Sequence, residues 1–222
     1  MTEIYYIGGS PCSGKSTVAE MLVEKYGFQY FRQDDFLQEY IDRGAGEGRE
    51  LFQQVSRLSM DEMWMRDPMA QCTEEIALYE TMFSYSIDAI LTLSQKGAVL
   101  AEGAGFMPRF VKGIHVDKSR YICMVPTKKF QVTAYAKRTW VSGYLSVCKD
   151  PNKAFENWME RDAVFAKTVR REAEDLGYPI LMVDGASSIE ENLAAVERAF
   201  QLHTLHETPG CAPYKEQNFP QT

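Results

Sequence analysis

Apolar positions along the 222-residue chain switch between two patterns. Short continuous runs at residues 4–8, 28–31, 98–101, 120–125 and 180–183 read as buried strands. Between them the apolar residues recur at helical spacing. Residues 15–26 place Val18, Met21, Leu22 and Tyr26 on one face, and residues 74–95 carry a stripe of Ile76, Tyr79, Phe83, Ile87, Ile90 and Leu91 that Gly97 brings to an end. Helices are also expected over residues 127–138 and 153–176, the latter stopping at the break over 177–179. Ser188 and Glu191 have the spacing of a capping box opening a last helix to about Leu202. Residues 36–70 are polar and helical in pieces, with a glycine-rich break at 44–48. Residues 139–151 have mixed character and read as a flap. Short apolar strands alternating with helices predict an α/β fold of three layers, with a mostly parallel sheet covered on both faces.

Composition narrows the class. Apolar residues at 45% and charged residues at 25% fit a globular chain and exclude a disordered or fibrous one. No apolar run reaches the roughly 18 residues a membrane span needs, and Gly, Ser and Lys interrupt the N-terminal stretch before a signal-peptide core forms. The five cysteines, Cys12, Cys72, Cys123, Cys148 and Cys211, are odd in number and lack a CxxC pair. They read as free thiols of a soluble cytoplasmic domain. One domain is expected over residues 1–202, followed by a polar tail at 203–222 with three prolines. Neither an internal repeat nor a low-complexity tract occurs.

The net charge of −7 conceals a division. Residues 1–106 hold 8 Lys and Arg against 17 Asp and Glu, residues 107–171 hold 14 against 5, and residues 172–222 hold 2 against 9. A basic block within an acidic chain either meets an anion or is a solvated helical face balanced by its neighbours.

The first strand runs into Gly9-Ser10-Pro11-Cys12-Ser13-Gly14-Lys15-Ser16-Thr17, which fits the phosphate-loop pattern G-x-x-x-x-G-K-[ST]. Its glycines let backbone N–H groups converge on phosphate oxygens, and the new helix adds its positive end. Lys15 can reach the β- and γ-phosphates of a nucleotide, and Ser16 is placed to ligate Mg²⁺. A strand before the motif and a helix after it set it apart from an ordinary glycine-rich turn.

Strands of a parallel sheet share one carboxyl edge, so residues following strands two and three lie on the rim that holds the phosphate loop. After the second strand come Asp34 and Asp35. A carboxylate there can take the proton of an attacking hydroxyl, or cap the next helix; the pair can divide the work, Asp34 as base and substrate ligand, Asp35 as cap or magnesium partner. The third strand ends in Glu102, which can hold Mg²⁺, bind a substrate hydroxyl, or cap a turn. Arg109 is a candidate acceptor contact or a surface arginine. Phosphoryl transfer also needs cations over the γ-phosphoryl oxygens and exclusion of water. Arg138 and Arg161, and less so Arg170 and Arg171, flank the flap and can supply them. His115, His203 and His206 do not form a metal site.

With these residues in place the chain resembles the phosphate-loop kinases, the group that includes adenylate, shikimate and gluconate kinases. The stretch GGSPCSGKST…YFRQDDF is most similar to the kinase domains of polynucleotide kinases and of chloramphenicol phosphotransferase-like enzymes. The resemblance covers most of residues 3–200, its specific part being the first forty. It implies a five-stranded sheet in the order 2-3-1-4-5 and a helical lid near residues 139–157. It also implies ATP and Mg²⁺ as cofactors, Asp34 as general base, Lys15 and Ser16 on phosphates and magnesium, and adenine near Gly185 and Ala186. Arg161-Asp162 resembles the arginine-acid step after the lid of nucleoside monophosphate kinases. Polynucleotide kinases carry arginines just before and after the acidic pair; this chain has Gln33 and Leu37, which, with its acidic balance, disfavours a nucleic-acid acceptor. The expected activity is transfer of the ATP γ-phosphate to a hydroxyl of a small molecule. A nucleotide or nucleoside kinase, with Arg43, Arg49, Phe52 or Arg57 clamping the base, and an ATP-binding switch are the alternatives.

Overall fold

In the computed structural model, which describes residues 3–202, five parallel strands form one sheet in the order β2-β3-β1-β4-β5. The strands are β1 (Ile4–Gly9), β2 (Gln29–Arg32), β3 (Val99–Glu102), β4 (Tyr121–Pro126) and β5 (Ile180–Val183). This is the α/β architecture and strand order expected above. Register pairs Ile7 and Arg32 with Glu102, and Gly9 with Met124, so the functional ends of β1, β2 and β3 share one rim.

The strand period of two sorts side chains to opposite faces. Tyr6, Phe31, Ala101, Tyr121 and Cys123 face one core, which is completed by α5 (Pro68–Ser94), α6 (Pro108–Gly113) and α9 (Pro151–Leu176). Tyr5, Ile7, Leu100, Ile122 and Met124 face the other, beneath α1 (Lys15–Tyr26) and α10 (Ile189–Phe200). The capping box of Ser188 and Glu191 is formed at the start of α10. Between β2 and α5 the chain makes a 3₁₀ turn at Gln33–Phe36, then α2 (Leu37–Gly46), α3 (Glu50–Val55) and α4 (Met60–Trp64). After β4 come α7 (Lys128–Ala136) and α8 (Thr139–Leu145).

Several expectations need correction. The long helix starts at Pro68, six residues earlier than the expected start at residue 74, because Asp67 accepts from the N–H groups of Met69 and Ala70 and proline suits the first helical position. Leu91, assigned to the buried stripe, is exposed. Helix α6 has no counterpart in the sequence reading, and part of the flap is the regular helix α8. No described helix is long and apolar enough to cross a membrane. Cys211, His203, His206 and the tail lie outside the described residues; Cys12, Cys72, Cys123 and Cys148 are free thiols.

Candidate active site

The phosphate loop is fixed by backbone geometry before any ligand is considered. Gly9 has φ +116°, and a β-carbon there would fall 2.0 Å from the Met124 carbonyl oxygen, so the strand can leave the sheet here only at glycine. Cys12 and Gly14 continue the curl with φ of 60° and 80°. Ser10 donates its N–H to Met124 O at 3.1 Å, and Ser13 Oγ donates to Ser10 O at 2.9 Å. Ser10 Oγ donates to the carbonyl of Asp162 at 3.4 Å, tying the loop to α9. Lys15, the first residue of α1, is buried and donates Nζ to Ser10 O at 2.8 Å, closing the loop over itself.

At the end of β3, Glu102 is 1% exposed. It accepts from Ser16 Oγ at 3.0 Å and from Tyr30 Oη at 3.3 Å, with Arg32 Nε at 3.7 Å. Burial raises its pKa above the usual glutamate value; Lys15, the Ser16 hydrogen bond and Arg32 act in the opposite direction, and Asp34 adds to the rise. Asp34 and Asp35 diverge. Asp34 lines the cleft with the loop, whereas Asp35 is exposed, outside the cleft lining, and paired with Arg32 Nε at 3.6 Å. Gln33, where a basic residue would grip nucleic acid, is buried. It donates to Ser86 Oγ at 3.0 Å and accepts from Gly105 N at 2.9 Å, bracing the turn after Glu102.

The opposite wall belongs to α8 and α9. Arg161 donates through Nε and an amino group to Asp162 Oδ1 at 2.8 and 2.6 Å, and its other amino group lies 3.4 Å from Glu75 of α5. Burial lowers the Arg161 pKa, but Asp162 and Glu75 outweigh it and keep the guanidinium charged; Glu75 is itself raised by burial. Arg138 lies over the rings of Tyr135 and Trp140, and both rings also line the cleft. The resulting cleft of about 610 Å³ brings together Pro11 to Thr17, Asp34, Glu102, Arg138 and Arg161.

Other candidates are elsewhere. Arg109 is bound to Glu172 at 2.8 Å and stacks on Phe110, outside the cleft, and Arg170 pairs with Glu174. Arg171 is exposed on α9, away from the cleft lining. Gly185 and Ala186 form the turn after β5, with Gly185 against the Phe130 ring and Ala186 N donating to Asp184. Of the proposed base clamp, Arg43 and Arg49 are bound to Glu47, and Phe52 is buried against Gly44.

Residues given no site role in the sequence complete the site: Tyr30, Arg32, Glu75, Tyr135, Trp140 and Trp158, with Tyr79, which was read only as part of the apolar stripe. An aromatic cluster surrounds Trp158, stacked on Trp64 at 4.5 Å and within 6.0 Å of Tyr135, Trp140 and Tyr144, although the sequence offered no aromatic platform. Arg32 was recoverable only from register, which sets it beside Glu102. The donor set suits magnesium. A serine hydroxyl and one carboxylate are oxygen donors of the kind that ion takes alongside nucleotide phosphates. Among the described residues no group of three His, Cys, Asp or Glu side chains comes together as a metal site.

Sheet order, phosphate loop and rim acids define the fold of the phosphate-loop kinases, and the chain resembles the small-molecule members of that class. No family model matches it. Adenylate kinase isoenzyme 1 of Homo sapiens is 36% identical over 50 residues, a match spanning 22% of this chain and 26% of that protein. The structure of TT1252 from Thermus thermophilus aligns over 93% of this chain and 98% of its own at 18% identity and a TM-score of 0.51, which is a likeness of fold. A shikimate kinase from Acinetobacter baumannii, solved with shikimate, covers 94% and 96% at 16% identity and a TM-score of 0.44.

Proposed function

We propose that the chain transfers the γ-phosphoryl group of ATP to a hydroxyl of a small molecule. The supporting observation is that one cleft gathers a nucleotide-phosphate loop, an exposed carboxylate and two arginines. Backbone N–H groups of residues 12–16 and the Lys15 ammonium bind the β- and γ-phosphates, and Lys15 exchanges its bond to Ser10 O for a phosphate oxygen. Ser16 Oγ and Glu102 would hold Mg²⁺, which would supply positive charge to the nucleotide phosphates. Tyr30 and Arg32 keep the Glu102 carboxylate turned towards Ser16.

Asp34 accepts the proton of the acceptor hydroxyl as its oxygen bonds to the γ-phosphorus. The bond from that phosphorus to the β–γ bridging oxygen breaks, and ADP leaves with the electron pair. Arg161, preset by Asp162 and Glu75, and Arg138 spread charge over the transferring oxygens. Of the alternatives, a base clamp has least support, because three of its four candidates, Arg43, Arg49 and Phe52, are engaged elsewhere, which leaves Arg57 alone for the role.

The reading is tested with Asp34→Asn. ATP affinity should stay within about threefold of wild type, while acceptor-stimulated ADP release falls by about 10²–10⁴-fold. A variant as active as wild type would remove Asp34 as the base, and ATP binding with no acceptor stimulation in either protein would favour a nucleotide switch.

A further inference from the structure

A second cavity of about 370 Å³ adjoins the cleft and shares Leu37, Glu75, Tyr79 and Arg161 with it. That size suits a small-molecule ligand. Its position, past Asp34 and away from the loop, makes it the seat of the acceptor on the phosphotransfer reading, on which this inference rests. The wall is largely aliphatic: Leu37, Ile41, Val55 and Leu58 from the α2–α4 region, with Leu78 and Met82 from α5. Tyr144 and Trp64, neighbours in the aromatic cluster, line the side nearest α8.

The charges around this cavity are already matched. Its two cations are Arg66, bound to Glu74 at 2.6 Å, and Arg161, held by Asp162 and Glu75. Even with Glu75 protonated, Glu74 and Asp162 balance the two guanidiniums. An acceptor bearing a carboxylate or phosphate would have to leave its charge unpaired in an apolar enclosure or break one of these pairs, and both are costly. A neutral body would have no charge to desolvate on entry and would gain by burying its carbon surface. We infer that the acceptor is an uncharged alcohol with an apolar carbon body, seated in this cavity with its hydroxyl towards Asp34.

Two matched probe pairs isolate the charge: methyl para-(hydroxymethyl)benzoate and its free acid, and methyl ω-hydroxyhexanoate and its free acid. Calorimetry on the full chain with a non-hydrolysable ATP analogue and Mg²⁺ measures binding, and mass spectrometry with ATP measures transfer. At least one ester should bind about tenfold or more tighter than its acid. Glu74→Gln, which releases Arg66 from its carboxylate, should narrow that ratio by about threefold or more; a purely structural Glu74 would leave the ratio unchanged. Both acids binding as well as their esters, or absence of binding by both esters, overturns the inference. An ester that binds selectively and is not phosphorylated supports the cavity assignment and counts against the phosphotransfer reading.

Discussion

At single positions the site depends on groups whose alternatives are few. Gln33 satisfies both Ser86 Oγ and Gly105 N–H in the interior. Gln33→Leu strands the buried Gly105 N–H, while Ser86 Oγ keeps its bond to Met82 O, and should lower unfolding free energy by about 1–3 kcal/mol in urea titrations; a stability equal to wild type would contradict this role. Gln33 stood out in the sequence only as a missing arginine, because its partners are 53 and 72 residues away. Glu102 gives a pH signature. Burial raises its pKa in the fold, so the folded chain holds the proton more tightly than the unfolded chain, whose value lies near 4.5. The contribution to stability is therefore unpenalised below that pH and is lost as pH rises through the higher folded value. In the absence of nucleotide and metal, the stability of wild type relative to Glu102→Gln should fall over this window. A flat difference across pH would show that the carboxylate is not desolvated.

Among the elements, those with strong local signals were legible and those defined by tertiary packing were not. Helix α1 and β5 have the boundaries their apolar spacing and flanking glycines imply, and the cap of α10 was readable from Ser188 and Glu191. Helix α6 was missed because six residues offer too short a period to read. The aromatic cluster was hidden because Trp64, Tyr135, Trp140, Tyr144 and Trp158 come from four helices and meet only when α9 crosses the others. That crossing is tied by Asn157, whose Nδ2 donates to the carbonyls of Trp64 and Arg66, the same carbonyls that Gln71 reaches. Asn157→Leu should cost about 1–3 kcal/mol and loosen the stacked pair of Trp64 and Trp158. Thermal unfolding and near-ultraviolet circular dichroism would detect both effects. An unchanged spectrum would mean that α9 holds α4 by packing alone.

For the whole molecule, the fold is a rim that collects chemistry from distant parts of the chain: residues 11–17, 34, 102, 138 and 161. The phosphate loop and rim acids were legible because strand ends announce them; the acceptor cavity was not, since its wall comes from α2 to α5, α8 and α9 together. Nucleotide that binds only the folded state must stabilise it. Mg-ATP at about a hundredfold above its Kd should add about 2.7 kcal/mol, or roughly 5–10 °C in Tm. Lys15→Ala should abolish most of that shift, and a shift equal to wild type would place the nucleotide elsewhere.

The most direct test follows the phosphoryl group itself. ATP carrying heavy oxygen in its γ-phosphoryl group would be incubated with Mg²⁺, the chain and pools of neutral alcohols, sugars, nucleosides, amino alcohols and short oligonucleotides, and the label traced by mass spectrometry. Phosphotransfer predicts label in an organic phosphate from one small-molecule pool, at a rate well above its appearance in inorganic phosphate. Label confined to inorganic phosphate across every pool, despite bound nucleotide, would contradict the account.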